Sequence, residues 1–161
     1  MTNTIYVANY GSASVTVING VTNTNTTVAA GASPYGIAVD SVANQIYVGN
    51  VSSANVTVIN GATNTTTTVG AGINPYAVAV EPVTDRIYVA NYNADNVTVI
   101  DGATNTTTTV AAGTVPGGVA GNPVTNQIYV TNQNSSTFTV IDEQKVRSIP
   151  LAAAIRPFPT T

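Results

Sequence analysis

Four tyrosines, Tyr10, Tyr35, Tyr76 and Tyr92, carry the chemistry most open to a ligand, together with Asn9, Asn50, Asn91, Asn93 and Asn132. A tyrosine offers a flat apolar face and a hydroxyl, and amides lie beside it here. That pairing suits contacts to a sugar or a peptide. Asn9, Asn50, Asn91 and Asn132 recur at a fixed step of 41 residues. Such regularity points to architecture, with the amides bracing loops through their own backbone. Tyr10 and Tyr92 do not recur at every step, so they are the better binding candidates.

Other chemistry is sparse. The chain has no His, no Cys and no Trp. Thiol nucleophiles, Ser-His-Asp triads, imidazole acid–base work and standard zinc sites are thereby excluded. Asp95 lies in "NYNADN", rich in oxygen ligands, but one carboxylate among scattered amides is a weak calcium site. Asp85-Arg86 reads as a local ion pair on a loop. Seven Asn-x-Ser/Thr sequons start at Asn25, Asn50, Asn55, Asn64, Asn96, Asn105 and Asn134. In a chain this rich in Asn and Thr, many arise from composition alone. No cofactor and no metal are expected.

The 161 residues suit one domain, and 43% of them are hydrophobic while only 7% are charged. Low charge with ample apolar content argues against a disordered chain. Net charge is −3, with no basic cluster to follow a phosphate backbone, so nucleic acid is not an expected partner. No stretch reads as a membrane span or a signal peptide.

What positions the tyrosines is a repeat. Ile5-Tyr6-Val7 returns at residues 46–48, 87–89 and 128–130. Asn19-Gly20, Asn60-Gly61 and Asp101-Gly102 keep the same step, as do Pro34, Pro75 and Pro116. Each repeat divides into four β-like pieces, in the third repeat 76–81, 86–91, 96–101 and 106–110. They are short, rich in Val, Ile, Thr and Tyr, and separated by turn residues. Asp-Gly marks a hairpin, with Gly expected to take the positive φ of the turn. The first two pieces are nearly continuous apolar runs, and "TTTTV" is polar. A gradient from a covered inner strand to an exposed outer strand fits a propeller blade. The fold class expected is all-β: one β-propeller domain over 1–161, with four-stranded antiparallel blades and about four 41-residue repeats.

The segments "IYVAN", "IYVGN", "IYVAN" and "IYVTN", with "NVTVIDGATNTTTTV" and "NPYAVAVEP", resemble the YVTN family of β-propeller repeats. The resemblance covers nearly the whole chain. It implies a propeller, commonly seven-bladed, often secreted or part of a surface layer, and it brings no catalytic residues to carry over. This chain departs from it in having about four repeats.

That shortfall directs attention to the last residues. Pro150, Leu151, Ala152, Ala153, Ala154, Ile155, Arg156 and Pro157 align without a gap beneath the three inner strands, Pro150 falling under Pro34, Pro75 and Pro116. They read as a fifth inner strand, and the first blade, which opens at Ile5, Tyr6 and Val7, lacks one. From Ile100 to the next Pro is 16 residues, and from Ile141 to Pro150 only 9. The deletion would shorten the hairpin before the outer strand and the loop that follows it. A tail returning to its own first blade would make a four-bladed ring turning about 90° per blade. A tail crossing to a second copy would make an eight-bladed ring at about 45° per blade, nearer the family geometry. The exchange is favoured as a dimeric ring, then as a filament; the remaining readings are a four-bladed monomer and a piece of a longer propeller.

The function expected is a non-enzymatic structural or interaction protein, extracellular or on a cell surface, that self-assembles through its C-terminal strand. Its partners are other copies of itself, with a glycan or protein ligand on one rim. A small-molecule or glycan-binding module is the alternative. A lyase-like propeller enzyme is a further one, but no paired carboxylates mark an active site.

Overall fold

A computed structural model describes residues 3–142 and 146–150, the last five as backbone. Fifteen antiparallel strands among the described residues form four sheets. The first holds β1 (Thr4–Asn9), β2 (Ser14–Asn19) and β3 (Asn25–Ala29). The second holds β4 (Pro34–Asp40), β5 (Gln45–Asn50), β6 (Asn55–Asn60) and β7 (Thr66–Gly70). The third is β8 (Pro75–Glu81), β9 (Arg86–Asn91), β10 (Asn96–Asp101) and β11 (Thr107–Ala111). The fourth is β12 (Pro116–Asn122), β13 (Gln127–Asn132), β14 (Thr137–Ile141) and β15 (Val146–Pro150). Strands follow in sequence order within every sheet. That order is what short hairpins between β-branched segments produce.

The sheets stack face to face, and each face repeats the same residues. Tyr47, Val56 and Val58 of the second sheet pack against Ile87, Val89 and Ile100 of the third. Tyr88, Val97 and Val99 of the third meet Ile128, Val130 and Ile141 of the fourth. Val15 and Val17 of the first meet Ile46, Val48 and Ile59 of the second. The period-2 alternation of a strand explains this. The Ile and Val of "IYV" face the preceding sheet, and the Tyr between them faces the following one. Each such Val or Ile, fully buried, contributes about 1.5–3 kcal/mol.

Two expectations change here. The most buried strands are the second and third of the two middle sheets: β5, β6, β9 and β10 are covered along nearly their whole length, while the centre of β8 is only half-buried. The first strands β4, β8 and β12 lie against one another from sheet to sheet. Their small Ala and Gly side chains cover less, so burial peaks one strand further out. The hairpin glycines also take another role. No glycine has positive φ; Asn23, Asn64 and Asn105, four residues after Asn19, Asn60 and Asp101, have it instead at 59°, 59° and 58°. Gly20, Gly61 and Gly102 are small for a different reason. Their N–H groups donate to Asn3, Asn44 and Asp85 carbonyls at 2.7, 2.8 and 2.8 Å, and the side chains of those residues fill the space a Cβ would need.

The last hairpin corrects the alignment of the tail. Ile141 pairs with Val146, whereas Ile100 pairs with Thr107, so this hairpin is two residues shorter. Pro150 pairs with Thr137, as Ala111 pairs with Asn96 and Ala29 with Ser14. Pro150 therefore ends the outer strand of the fourth sheet and does not head an inner strand. The gapless alignment places Pro150 at the start of an inner strand because it takes all seven missing residues to precede it, whereas the hairpin itself is only two residues shorter. The rest of the expected closing strand, 151–157, lies outside the described residues.

Candidate functional site: a row of tyrosines on one rim

The loops that cross between sheets and the turns between second and third strands share one rim. Backbone bonds zip them together: Val51 N–H to Ser33 O at 3.0 Å, Tyr92 N–H to Asn74 O at 2.9 Å, and Gln133 N–H to Val115 O at 2.9 Å. Ties also run between sheets. Asn74 Nδ2 donates to Val51 O at 2.7 Å, and Val115 N–H donates to Asp95 Oδ1 at 3.0 Å. Asp95 is thus an inter-sheet tie. Among the described residues no three His, Cys, Asp or Glu gather as metal ligands.

On this rim all four candidate tyrosines meet. Tyr10 and Tyr35 lie edge to face, with ring centroids 6.3 Å apart at 85°. Tyr35 and Tyr76 stack at 4.4 Å, and Tyr76 and Tyr92 lie 5.2 Å apart, tilted by 40°. Tyr76 donates its hydroxyl to Tyr35 Oη at 3.0 Å, and Tyr92 donates to Gln133 Oε1 at 3.2 Å. The bond to Tyr35 first, and burial second, push the Tyr76 phenol pKa up. Tyr10 and Tyr35 remain 56% and 49% exposed. Sequence reasoning found the tyrosines but not Gln133, although it occupies the Tyr92 position one repeat later.

The recurrent asparagines do not join them. Asn50 Nδ2 donates to Asn55 Oδ1 and Thr57 Oγ1 at 2.8 and 2.9 Å, and Asn91 repeats this with Asn96 and Thr98 at 2.7 and 2.9 Å. Asn9 and Asn132 do the same with hydroxyls five and seven residues on. They brace the third strand through side chains rather than through their own backbone. Asn50 is fully buried, which removes it as a glycan acceptor. Asn93 stays on the rim, donating to Asn74 Oδ1 at 2.6 Å.

Among the described residues, Asp40, Asp85, Arg86 and Asp101 lie toward the opposite rim. Asp40 is buried, its Oδ1 accepting Val42 and Ala43 N–H at 2.8 and 3.0 Å. Burial first, then the Asp40 and Asp101 carboxylates, raise the Asp85 carboxyl pKa. Thr104 hydrogen bonds hold Asp101 below the ordinary range, and Arg86 adds to this. Arg86 lies opposite Glu81 and Asp101 in the ladder, so its charge neighbours are cross-strand.

Among the described residues, Ile5, Tyr6 and Val7 lie in the edge strand of the first sheet. Ile5 and Val7 are 50% and 42% exposed, although Ile46 and Val48 at the same positions are fully buried. At the other end Tyr129 is 37% exposed, whereas Tyr47 is fully buried.

No family model and no curated protein matches the chain. Among solved structures it is similar to Kuenenia stuttgartiensis hydrazine synthase, with a TM-score of 0.80 at 22% identity over 92% of this chain and 46% of that one. It is similar to dihydro-heme d1 dehydrogenase NirN, solved in complex with DHE, with a TM-score of 0.78 at 16% identity over 92% of this chain and 35% of that one. It is also similar to a chain of a nidogen/laminin complex, with a TM-score of 0.77 at 15% identity over 93% of this chain and 61% of that one. The chain spans less than two thirds of each of them. All three are β-propeller proteins, and the four stacked sheets are accordingly blades of a β-propeller.

Proposed function

We propose that the chain is a non-enzymatic, extracellular propeller module that assembles with a second copy of itself into a closed ring. One observation carries this reading. At every internal junction the Tyr face of one blade packs on the Ile/Val face of the next. The two end faces are the same two surfaces, uncovered: Ile5 and Val7 on the first blade, Tyr129 on the fourth. Each is the partner the other lacks, so two copies joined head to tail at both ends leave neither exposed.

The β1 edge seen among the described residues would accept one more antiparallel strand, and the residues after Pro150 of the second copy are the proposed donor. The absence of His and Cys and the low charge support a role in assembly rather than catalysis. Threonine-rich outer strands, exposed along β7 and β11, support an extracellular setting.

Light scattering on the full chain tests the reading. A mass twice that of the chain is expected, and Val7→Glu with Tyr129→Glu, which brings like charges face to face, should halve it. A wild-type mass of a single chain would overturn the proposal, and a mass that grows with concentration would replace the ring by a filament.

A further inference from the structure

The tyrosine row does something the repeat does not require. Two backbone positions supply it. The turn position holds Tyr10, Val51, Tyr92 and Gln133 in successive blades, and the first-strand position holds Tyr35, Tyr76 and Gly117. The backbone bond at the turn is made equally by Val51, Tyr92 and Gln133. Neither position needs an aromatic residue to fold. The choices nevertheless interlock. The first blade gives a turn tyrosine, the second a strand tyrosine, the third both. In the fourth, Gly117 leaves the space that the Gln133 side chain fills. The result is one unbroken row, Tyr10, Tyr35, Tyr76, Tyr92 and Gln133, across four blades.

The two hydroxyl bonds of this row run outward from its middle toward its two ends. Tyr92 donates to Gln133 and Tyr76 donates to Tyr35. Tyr35 keeps its own proton to give outward, since a phenol both donates and accepts. The Tyr10 ring meets Tyr35 only edge to face, which leaves at least one aromatic face outside the pair. The most exposed end of the row therefore joins an open ring face to a hydroxyl donor. Around it the rim is neutral and polar. Ser52 Oγ donates to Ser33 Oγ at 2.9 Å, and Asn93 bonds Asn74. The one carboxylate on this stretch, Asp95, is turned to the Val115 N–H.

We infer that this row is a binding site for a neutral oligosaccharide. The C–H face of a pyranose lies on the Tyr10 ring, and its hydroxyl oxygen accepts from Tyr35. The following sugars run along the row, where Ser33, Ser52 and Asn93 provide neutral donors and acceptors. An anionic chain would need cations, and the row has none. The site lies within a single chain, so it stands or falls independently of the proposed ring.

The experiment is a titration of the full chain with cellohexaose, chitohexaose and mannohexaose, read by calorimetry and by tyrosine emission. With no Trp in the chain, that emission is not masked. Saturable binding of at least one hexaose with Kd below about 1 mM is expected. Tyr10→Ala should weaken it about tenfold. Tyr35→Phe, which keeps the ring and the packing, should weaken it about threefold through the hydroxyl alone. Val124→Thr, an exposed position on the opposite rim, should leave it unchanged. The proposal is overturned if no hexaose binds, if the row variants bind as the wild type does, or if only a proline-rich decapeptide binds with this dependence on the row.

Discussion

Asn91 Nδ2 donates to Thr98 Oγ1 at 2.9 Å inside the third blade, and Gly72 N–H reaches the same oxygen at 3.3 Å. The second and fourth blades repeat the arrangement, with Asn50, Thr57 and Gly31, and with Asn132, Thr139 and Gly113. One threonine oxygen thus ties an amide, a strand and the loop arriving from the previous blade. The relation needs the glycine. A Cβ on Gly72 would stand 2.7 Å from Asn91 Cγ and Nδ2.

Gly72→Ala is therefore expected to destabilise the chain by about 1–3 kcal/mol, because the amide must leave its buried bonds. Gly70, two residues earlier, has nothing within 4 Å of its Cβ position, and Ala29 and Ala111 hold the matching places. Gly70→Ala should stabilise by about 0.4–1 kcal/mol. Urea denaturation of the two variants checks both signs. Equal effects would contradict the packing of Asn91.

Val115 has φ of 58°, a left-handed conformation that a β-branched side chain rarely adopts. Its N–H and C=O are held by Asp95 and Gln133, which keep it there. Ser33 and Asn74 occupy the same place with φ of 55° and 53°. Val115→Asn should raise stability by about 1 kcal/mol, since Asn tolerates this region. A lower melting temperature in the variant would show that the valine side chain contributes more than its backbone strain removes.

Tyr47 is fully buried, and its phenol pKa is pushed up to about 12, chiefly by burial and then by Asp85, Asp40 and Asp101. The folded state holds this proton more tightly than the unfolded chain, whose phenol titrates near 10. The stability contribution is whole below pH about 10 and is lost as pH rises through about 12. Tyr47→Phe should flatten this part of the alkaline loss. Denaturation midpoints at pH 9 and 11.5 measure it, and equal losses in both proteins would assign the alkaline sensitivity to other groups.

Much of the blade was legible in the chain. The pieces read in the third repeat match β8 to β11 to within a residue, because hydrophobic alternation and turn residues act locally. The four tyrosines were legible as candidates because their types and loop positions stand out. Their mutual contact was not, since stacking of Tyr35 on Tyr76 depends on how one blade is turned against the next. Asn91 misled for a related reason: its partners, Asn96 and Thr98, come within reach only after β9 and β10 pair.

Pro150 shows where sequence alone runs out. A 41-residue period fixes which residues are equivalent only while spacing is constant. Beyond Ile141 it changes, and hydrogen-bond register decides: Pro150 opposite Thr137 places it in an outer strand. The sequence by itself determined the repeat, the strand pattern and the absence of thiol and imidazole chemistry, because these follow from residue type and local period. Only the tertiary structure decided the tyrosine row, the buried Asn–Thr–Gly tie and the exposure of Ile5, Val7 and Tyr129. Each of these depends on the packing of one blade against its neighbour, which local sequence does not encode.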